Sequence, residues 1–252
     1  MTSARDGSGA RSQPTQAPGP VLLTVIVPTY NERDNIGPLA AAVFEALGET
    51  PTELLVVDDG SPDGTGDAVL ELARNDPRVR LLQRGRKQGL AGAVFAGADA
   101  ARGTYVCVMD ADLSHDPTHL PGMLGKAEEG YDAVIGSRFA PGAGFETQPL
   151  SRRVASVVAN RWARTVLRLP QRDVLTGYVL CRRDLLTQME TRHSAGGFKW
   201  LMEMLAGRRD ARTFEWPIVF RARRSGSSKA SVGEVLRFLV LSLRLALRRR
   251  AG

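Results

Sequence analysis

The chain has 252 residues, 43% of them hydrophobic, enough to furnish a real core in one large domain or two small ones. Its formal net charge is +7 and its pI about 10.0, which suggests an anionic partner: nucleic acid, a phosphorylated ligand or an acidic membrane surface. A nucleic-acid binder would show recognition motifs, or basic and aromatic residues interleaved on one face, and with 6% aromatic residues that class is set aside.

Residues 1–20, MTSARDGSGARSQPTQAPGP, are rich in Gly, Ser, Pro and Ala and contain no apolar run, so a disordered tail is expected rather than a signal peptide. No later stretch offers the roughly 18 consecutive apolar residues of a spanning helix. A chain without conventional membrane spans and a cytoplasmic location are therefore expected. Cys107 and Cys181 lie in or beside apolar segments, which predicts buried free thiols and no zinc.

From residue 21 onward short apolar runs alternate with amphipathic stretches. The runs are Val21 to Pro28, Glu53 to Asp59, Val79 to Arg84, Tyr105 to Asp110 and Asp132 to Ser137, the form of strands buried on both faces. Helices are expected over Asn35 to Leu47, Thr65 to Asn75, Leu90 to Ala101 and Pro117 to Glu129, with Asp63 or Thr65 and Asp116 as N-caps. Strand and helix at this spacing mean an α/β fold, a three-layer, mostly parallel sheet with helices on both faces. Further on, Val154 to Leu169 and Phe198 to Gly207 read as helices, the second with Glu203 inside its apolar run, and Arg212 to Arg223 reads as a strand. A basic amphipathic helix is expected over residues 231–252, where Arg237, Arg244 and Arg248 recur near one stripe beside many leucines. It is too short and interrupted to span, but suits an anionic membrane interface; packing on the domain is the other reading.

Polar residues gather where strands end, the edge at which open α/β sheets bind ligands. The first strand runs into PTYNE (Pro28 to Glu32), the second into DDGSPDGT (Asp58 to Thr65), the fourth into DADLSHD (Asp110 to Asp116). No G-x-G-x-x-G follows the first strand and no G-x-x-x-x-G-K-[ST] occurs, so neither a Rossmann site nor a Walker phosphate loop is expected. Asp110 and Asp112, spaced i and i+2 where the chain leaves its pleat, can turn toward one point and share Mg²⁺ or Mn²⁺ through oxygen ligands. The plainer alternative is a strand end followed by an Asx turn. Of the histidines, His115 follows the acids, yet imidazole suits these ions less well than oxygen. His119 and His193 show no partner in the sequence.

Taken together, VIVPTYNERDNI, VVDDGSPDGT, QGLAGAVFAGADAARGTYVCVMDADLSHDP, AVIGSRF, DVLTGYVLCRRDLL and RRSGSSK resemble the dolichol-phosphate or polyprenol-phosphate mannose synthases of glycosyltransferase family 2, which have a GT-A fold. The likeness runs from about Leu22 to Lys229 and makes residues 21–230 the expected catalytic domain. It is most specific in DADLSH and in the R-x-x-G-x-S-K pattern of Arg223, Gly226, Ser228 and Lys229. It implies transfer of mannose from GDP-mannose to a polyprenyl monophosphate with inversion, as in the soluble catalytic type. It also implies peripheral contact with the inner face of an anionic membrane, and leaves room for a separate membrane-anchoring protein.

The same resemblance assigns Pro28, Tyr30, Glu32, Val57 and Asp59 to the guanosine pocket. Asp110, Ala111 and Asp112 meet the diphosphate and metal, and Ser114 stands where some relatives have a further Gln ligand. Asp58 and Asp59, being adjacent, should point differently. An acceptor phosphate is already an anion and needs no general base, so basic side chains have to overcome repulsion between two anionic substrates. Arg138, one of Arg152 and Arg153 with Arg152 preferred, Ser156, and Arg223 with Lys229 are the candidates, RSGSSK forming a closing loop. A family 2 transferase using UDP-glucose with a polyprenyl phosphate is the alternative.

Overall fold

The computed structural model describes residues 20–85, 89–146, 149–189, 199–221 and 232–248. Aliphatic runs that are apolar on both faces find their place in the middle of a sheet covered on two sides. Such runs form β1 (Leu23–Thr29), β2 (Thr52–Asp58), β3 (Val79–Gln83), β4 (Tyr105–Val108) and β5 (Ala133–Ser137). Three more pieces were less legible. They are β6 (Gly144–Phe145), β7 (Val179–Arg182), and the expected strand from Arg212, which divides into β8 (Thr213–Pro217) and β9 (Val219–Phe220). The division comes at Ile218, whose N–H bonds Ser137 on one sheet while its carbonyl accepts from Gly144 on the other.

The main sheet has the order β3-β2-β1-β4-β7-β5-β8, and β6 pairs with β9 in a separate parallel ribbon. All main-sheet pairs are parallel except those of β7, which runs against both β4 and β5. The expected α/β class and mostly parallel sheet are therefore what the chain adopts, while the one reversed strand went unforeseen.

Helices cover both faces. On one side α1 (Arg33–Leu47), α2 (Thr65–Asn75) and α4 (Leu120–Glu128) pack Ile36, Leu39, Val69 and Met123 against Val25 and Leu54. On the other, α3 (Leu90–Ala100), α5 (Leu150–Leu167), α6 (Arg183–Thr187) and α7 (Trp200–Gly207) pack against Ile26, Val57 and Val106. Val106 faces Cys181 across β4 and β7, so Cys107, one residue on, points to the opposite side. Both thiols are buried and free, as expected, and burial pushes both well up from the usual thiol range.

Helix starts needed correction. The cap of α2 is Gly64, at φ 85; Asp63 lies one residue earlier and accepts from the Thr65 N–H at 3.0 Å. Asp116 does cap, accepting from the Thr118 N–H, but it heads a 3₁₀ turn (Pro117–His119) that leads into α4. The helix expected from Val154 begins at Leu150, a full turn earlier, with the N–H groups of Arg152 and Arg153 bonded to the Pro149 carbonyl.

The last helix, α8 (Val232–Arg248), packs on α5. Phe238 joins the core, and the Trp162 indole N–H donates to Ser242 Oγ at 3.0 Å. Val235, Leu236, Val240, Leu243 and Leu247 remain exposed on α8. Among the described residues no helix is long and apolar enough to cross a membrane.

Candidate active site

The carboxyl ends of β1, β2, β4 and β5 share one edge of the sheet, and the reversed direction of β7 brings its leading loop, Asp173 to Tyr178, to that same edge. This is the contribution of the strand that the sequence reading missed. Beyond β4, the Met109 N–H still bonds Ile26 on β1, but the Asp110 N–H turns to His115 Nδ1 at 3.0 Å. The strand therefore ends at Val108, two residues short of expectation, and the acids lie in a loop that closes on itself. Leu113 in this loop has φ 59, and Asn31 at the end of β1 has φ 63. Such conformations cost on the order of 1–3 kcal/mol and are held only by their surroundings. For Asn31 the support includes a bond from its N–H to Ser61 Oγ at 2.9 Å.

Asp112 is buried and accepts from the Ser114 N–H at 3.0 Å, so the Asx turn exists alongside any ligand role. Asp110 keeps 36% of its side chain exposed. Gly177 lies against it: a Cβ there would be in van der Waals contact with the loop, 3.6 Å from Asp110 Oδ1 and 3.4 Å from His115 Cε1. The Ser114 hydroxyl, two residues beyond Asp112, is buried with no hydrogen-bond partner among the described residues. Two carboxylates and an orphaned hydroxyl are an all-oxygen donor set that fits a hard divalent cation. No group of three or more His, Cys, Asp or Glu side chains suited to a metal occurs among the described residues, so water and substrate oxygens would complete the shell.

His115 is a wall of this loop. Its Nδ1 accepts a hydrogen bond and so carries no proton; its ring stacks on Tyr178 at 4.9 Å and meets the edge of Phe220 at 5.6 Å. Tyr178 in turn donates its hydroxyl to the Asp116 carbonyl at 2.9 Å. Asp116 pairs with Arg221 at 2.6 Å. Burial alone would raise its pKa, but Thr118 and Arg221 outweigh it and hold the carboxyl below the usual range. His119 does have a partner: the Trp216 indole N–H donates to its Nδ1 at 3.3 Å, and burial lowers its pKa. Arg221 also donates its N–H to the Ser114 carbonyl at 3.2 Å. Arg223, Lys229, the rest of the RSGSSK loop and His193 lie outside the described residues.

At the ends of β1 and β2, Tyr30 is 40% exposed. The Glu32 carboxylate accepts from Asn35 Nδ2 at 2.6 Å, and its N–H donates to Thr65 Oγ1 at 3.0 Å. Asp58 and Asp59 point apart. Asp58 accepts from the Ser61 N–H at 3.0 Å and the Thr29 hydroxyl at 3.2 Å, whereas Asp59 accepts from the Gly89 N–H at 3.2 Å and lies 3.1 Å from Arg84 Nη1. Val57, expected in the pocket, lies at the end of its strand beside Asp58. Its side chain is fully buried in the core against α3, so only its main chain could meet a ligand; Ala111 is nearly as buried, and Pro28 is half-buried.

Arg138, after β5, donates through Nε and Nη2 to both oxygens of Asp173, at 2.7 and 2.9 Å. Asp173 is fully buried on the loop before β7, where its own N–H and that of Arg172 donate to Glu215, and Asn160 accepts from the Val174 N–H. Sequence reasoning missed Asp173, although it opens the DVLTGY motif. The rings of Phe139, Phe145 and Phe220 lie 5.6 to 5.9 Å from the Arg138 guanidinium. Arg153 stands 5.4 Å over the same Phe145, which links Arg138 to the first turn of α5. Arg152 and Ser156 are one turn apart on that helix, the first exposed and the second half-buried. Glu203 is buried within α7 among Trp200, Leu201 and Met204.

These elements match a known family over residues 24–189. The chain belongs to glycosyl transferase family 2. This makes it a glycosyltransferase. It is 38% identical to the polyprenol monophosphomannose synthase of Mycolicibacterium smegmatis over 88% of this chain and 86% of that protein. Against the undecaprenyl-phosphate mannosyltransferase of Micrococcus luteus the identity is 40%, over 83% and 88%. Among solved structures, glucosyl-3-phosphoglycerate synthase from Mycobacterium tuberculosis, in complex with Mn²⁺, UDP and glucosyl-3-phosphoglycerate, superposes with a TM-score of 0.65 at 20% identity. That match covers 91% of this chain and 80% of the other. The likeness establishes the GT-A fold of this glycosyltransferase.

Proposed function

We propose that the protein transfers mannose from GDP-mannose to a polyprenyl monophosphate, with inversion, at the inner face of the cell membrane. The names of the relatives support mannose and a polyprenyl phosphate. The observation that carries the reading is the pairing, on one sheet edge, of a solvent-facing Asp110 and buried Asp112 with an arginine locked in place by Asp173. Asp110 and Asp112 would hold Mg²⁺ or Mn²⁺, with Ser114 nearby. Bound there, the ion would offset the charge of the donor diphosphate and favour its departure.

The remaining work falls to the chain's own groups. Pro28, Tyr30, Glu32 and Asp59 form the nucleoside side. The acceptor phosphate attacks the anomeric carbon as an anion, so no carboxylate has to remove a proton from it, and Glu203 and the histidines stay outside the chemistry. Arg138 uses two of its five donors on Asp173 and keeps the others for phosphate oxygens. Arg152 or Arg153, with Ser156, approaches from α5, and Arg223 with Lys229 would close over both substrates and exclude water. The polyprenyl chain would lie in an apolar groove of about 840 Å³ between α5 and α8, lined by Val154, Val158, Trp162, Val235, Phe238 and Leu239. The groove shares α5 with Arg152 and Ser156, so a phosphate held there has apolar surface for its tail close by.

The test is a transfer assay with polyprenyl phosphate, GDP-mannose and UDP-glucose in competition, with and without a metal chelator. Mannosyl lipid formed only in the absence of chelator is expected. Preferential glucosyl transfer would replace the donor assignment, and full activity in chelator would remove the metal.

A further inference from the structure

A second cleft borders the neighbouring face of α5, about 340 Å³ in volume, lined by Phe139, Val157, Asn160, Arg161, Arg164 and Arg172. We propose that it binds the phosphate headgroup of an anionic membrane lipid. Its three guanidinium groups have no ion-pair or hydrogen-bond partner among the described residues, and Arg164 Nε is buried without an acceptor. Two acids bonded to the segment that carries Arg172 are already committed. Glu215 accepts the N–H groups of Arg172 and Asp173 at 2.9 and 3.0 Å, and Asp173 gives both oxygens to Arg138. Three unneutralised arginines around a half-buried cleft favour an anion with several acceptor oxygens, which a phosphate supplies.

The choice of a lipid over a free phosphate comes from what adjoins the cleft. Leu150, Val154, Val158 and Trp162 follow one another at four-residue spacing along α5 and are 74%, 53%, 61% and 40% exposed. Val157, in the wall of the cleft, is 47% exposed itself. The stripe also lines the groove given to the polyprenyl chain, so a lipid with its headgroup in the arginine cleft would lay its acyl chains along Val157 and the near edge of that apolar face, beside the polyprenyl tail, whereas a free phosphate would use none of this apolar surface. The cleft neighbours the candidate acceptor site without sharing its residues. The inference rests on the membrane-surface part of the proposed function, and not on the identity of donor or sugar.

The full chain is mixed with vesicles of phosphatidylcholine, with or without phosphatidylglycerol, and no nucleotide sugar is present, so the outcome is independent of transfer. Arg161 and Arg172 are exposed, and their double replacement by Ala should spare the fold. It is expected to weaken binding to the anionic vesicles about tenfold or more. Arg74→Ala with Arg102→Ala removes the same charge elsewhere on the surface and should change binding less than about twofold. Arg164→Gln should act in the same direction as the first pair. Equal losses for the two pairs would mean that binding follows net charge and would overturn the site. So would unchanged binding to anionic vesicles accompanied by phosphate-dependent thermal stabilisation that the Arg161/Arg172 variant has lost, which would assign the cleft to a free phosphate.

Discussion

The proposed donor side and the proposed acceptor side of this molecule satisfy their polar groups in opposite ways. At the ends of β2 and β4 the acids are tied down by neighbouring groups: Asp58 to Ser61, Asp112 to Ser114 and Asp116 to Thr118 within their own loops, and Asp59 to Gly89 and Arg84 beyond β3. Beside α5, the guanidinium groups of Arg161, Arg164 and Arg172 have no carboxylate partner among the described residues, and valines and leucines of α5 and α8 stand in the open. A preorganised pocket for a polar nucleotide cannot afford loose loops, so its side chains spend hydrogen bonds on one another. A surface that receives a lipid phosphate keeps cations and apolar area uncommitted until the ligand arrives.

The contrast is broken most severely in the acid loop. Asp110→Ala should reduce transfer by about 10²–10³-fold or more, with little effect on stability because this side chain is partly exposed and its backbone makes the bond to His115. Asp112 separates two roles. Asp112→Asn can still accept from the Ser114 N–H and should keep the melting temperature while losing activity; Asp112→Ala should lose both. Activity in both Asp112 variants near the parent level would show that the loop is only a turn.

Asp173 comes next, as the point where the acceptor side borrows the internal pairing of the donor side. Asp173→Ala removes the partner of a guanidinium whose side chain is only 13% exposed, at a cost of about 3–5 kcal/mol for breaking such a pair. Denaturant unfolding should register this, and the surviving folded enzyme should show a raised KM for the acceptor. Arg138→Lys keeps the charge but not the two-pronged bond, and should fall between parent and Asp173→Ala in both measurements. A variant of Asp173 with normal stability and normal acceptor KM would sink the positioning argument.

The same contrast explains what the sequence made legible. Five strands and the acids after three of them could be read because continuous apolar runs ending in Asp or Asn have few other places in a fold. Strand β7 could not, since its four residues carry no period and its direction is set by partners 70 or more residues away in β4. Nor could Val57 be recognised as core, because a strand residue beside a loop looks the same whether it faces helix or ligand. Asp173 was inconspicuous for a related reason. A buried acid is revealed by the arginine it meets, and Arg138 lies on a different strand end.

On α8 the two halves of the comparison meet in one helix. Phe238 is buried, and Phe238→Ala should destabilise the fold by about 3–5 kcal/mol without a specific effect on vesicle binding. Leu236, Leu243 and Leu247 are 62%, 49% and 63% exposed, so replacing them by Ser should leave the melting temperature near the parent value and weaken co-sedimentation with anionic vesicles. Unchanged co-sedimentation would reduce α8 to packing alone.

The smallest effect tests how tightly the donor-side loop is tied. Asp116 is depressed below the usual carboxylate range, as burial is outweighed by Thr118 and Arg221. A carboxylate lowered on folding adds stability above its unfolded value of about 3.9 and loses it as the pH drops through its lower folded value. Asp116→Asn can still accept from the Thr118 N–H but cannot titrate, so the parent should be more stable than the variant at neutral pH and the two should converge as the pH falls through the lowered folded value of Asp116. His119, whose pKa burial also lowers, acts in a higher window: its stabilisation fades as pH falls from about 6.5, and it is present in both proteins. Because the Asp116 charge also raises the His119 pKa, subtracting the two stability curves leaves a residual His119 contribution, which lies in that higher window, apart from the acid limb of Asp116. A difference that stays constant from pH 7 to pH 2 would mean that the Arg221 pair contributes nothing through charge, and that Asp116 serves the acid loop only as a cap.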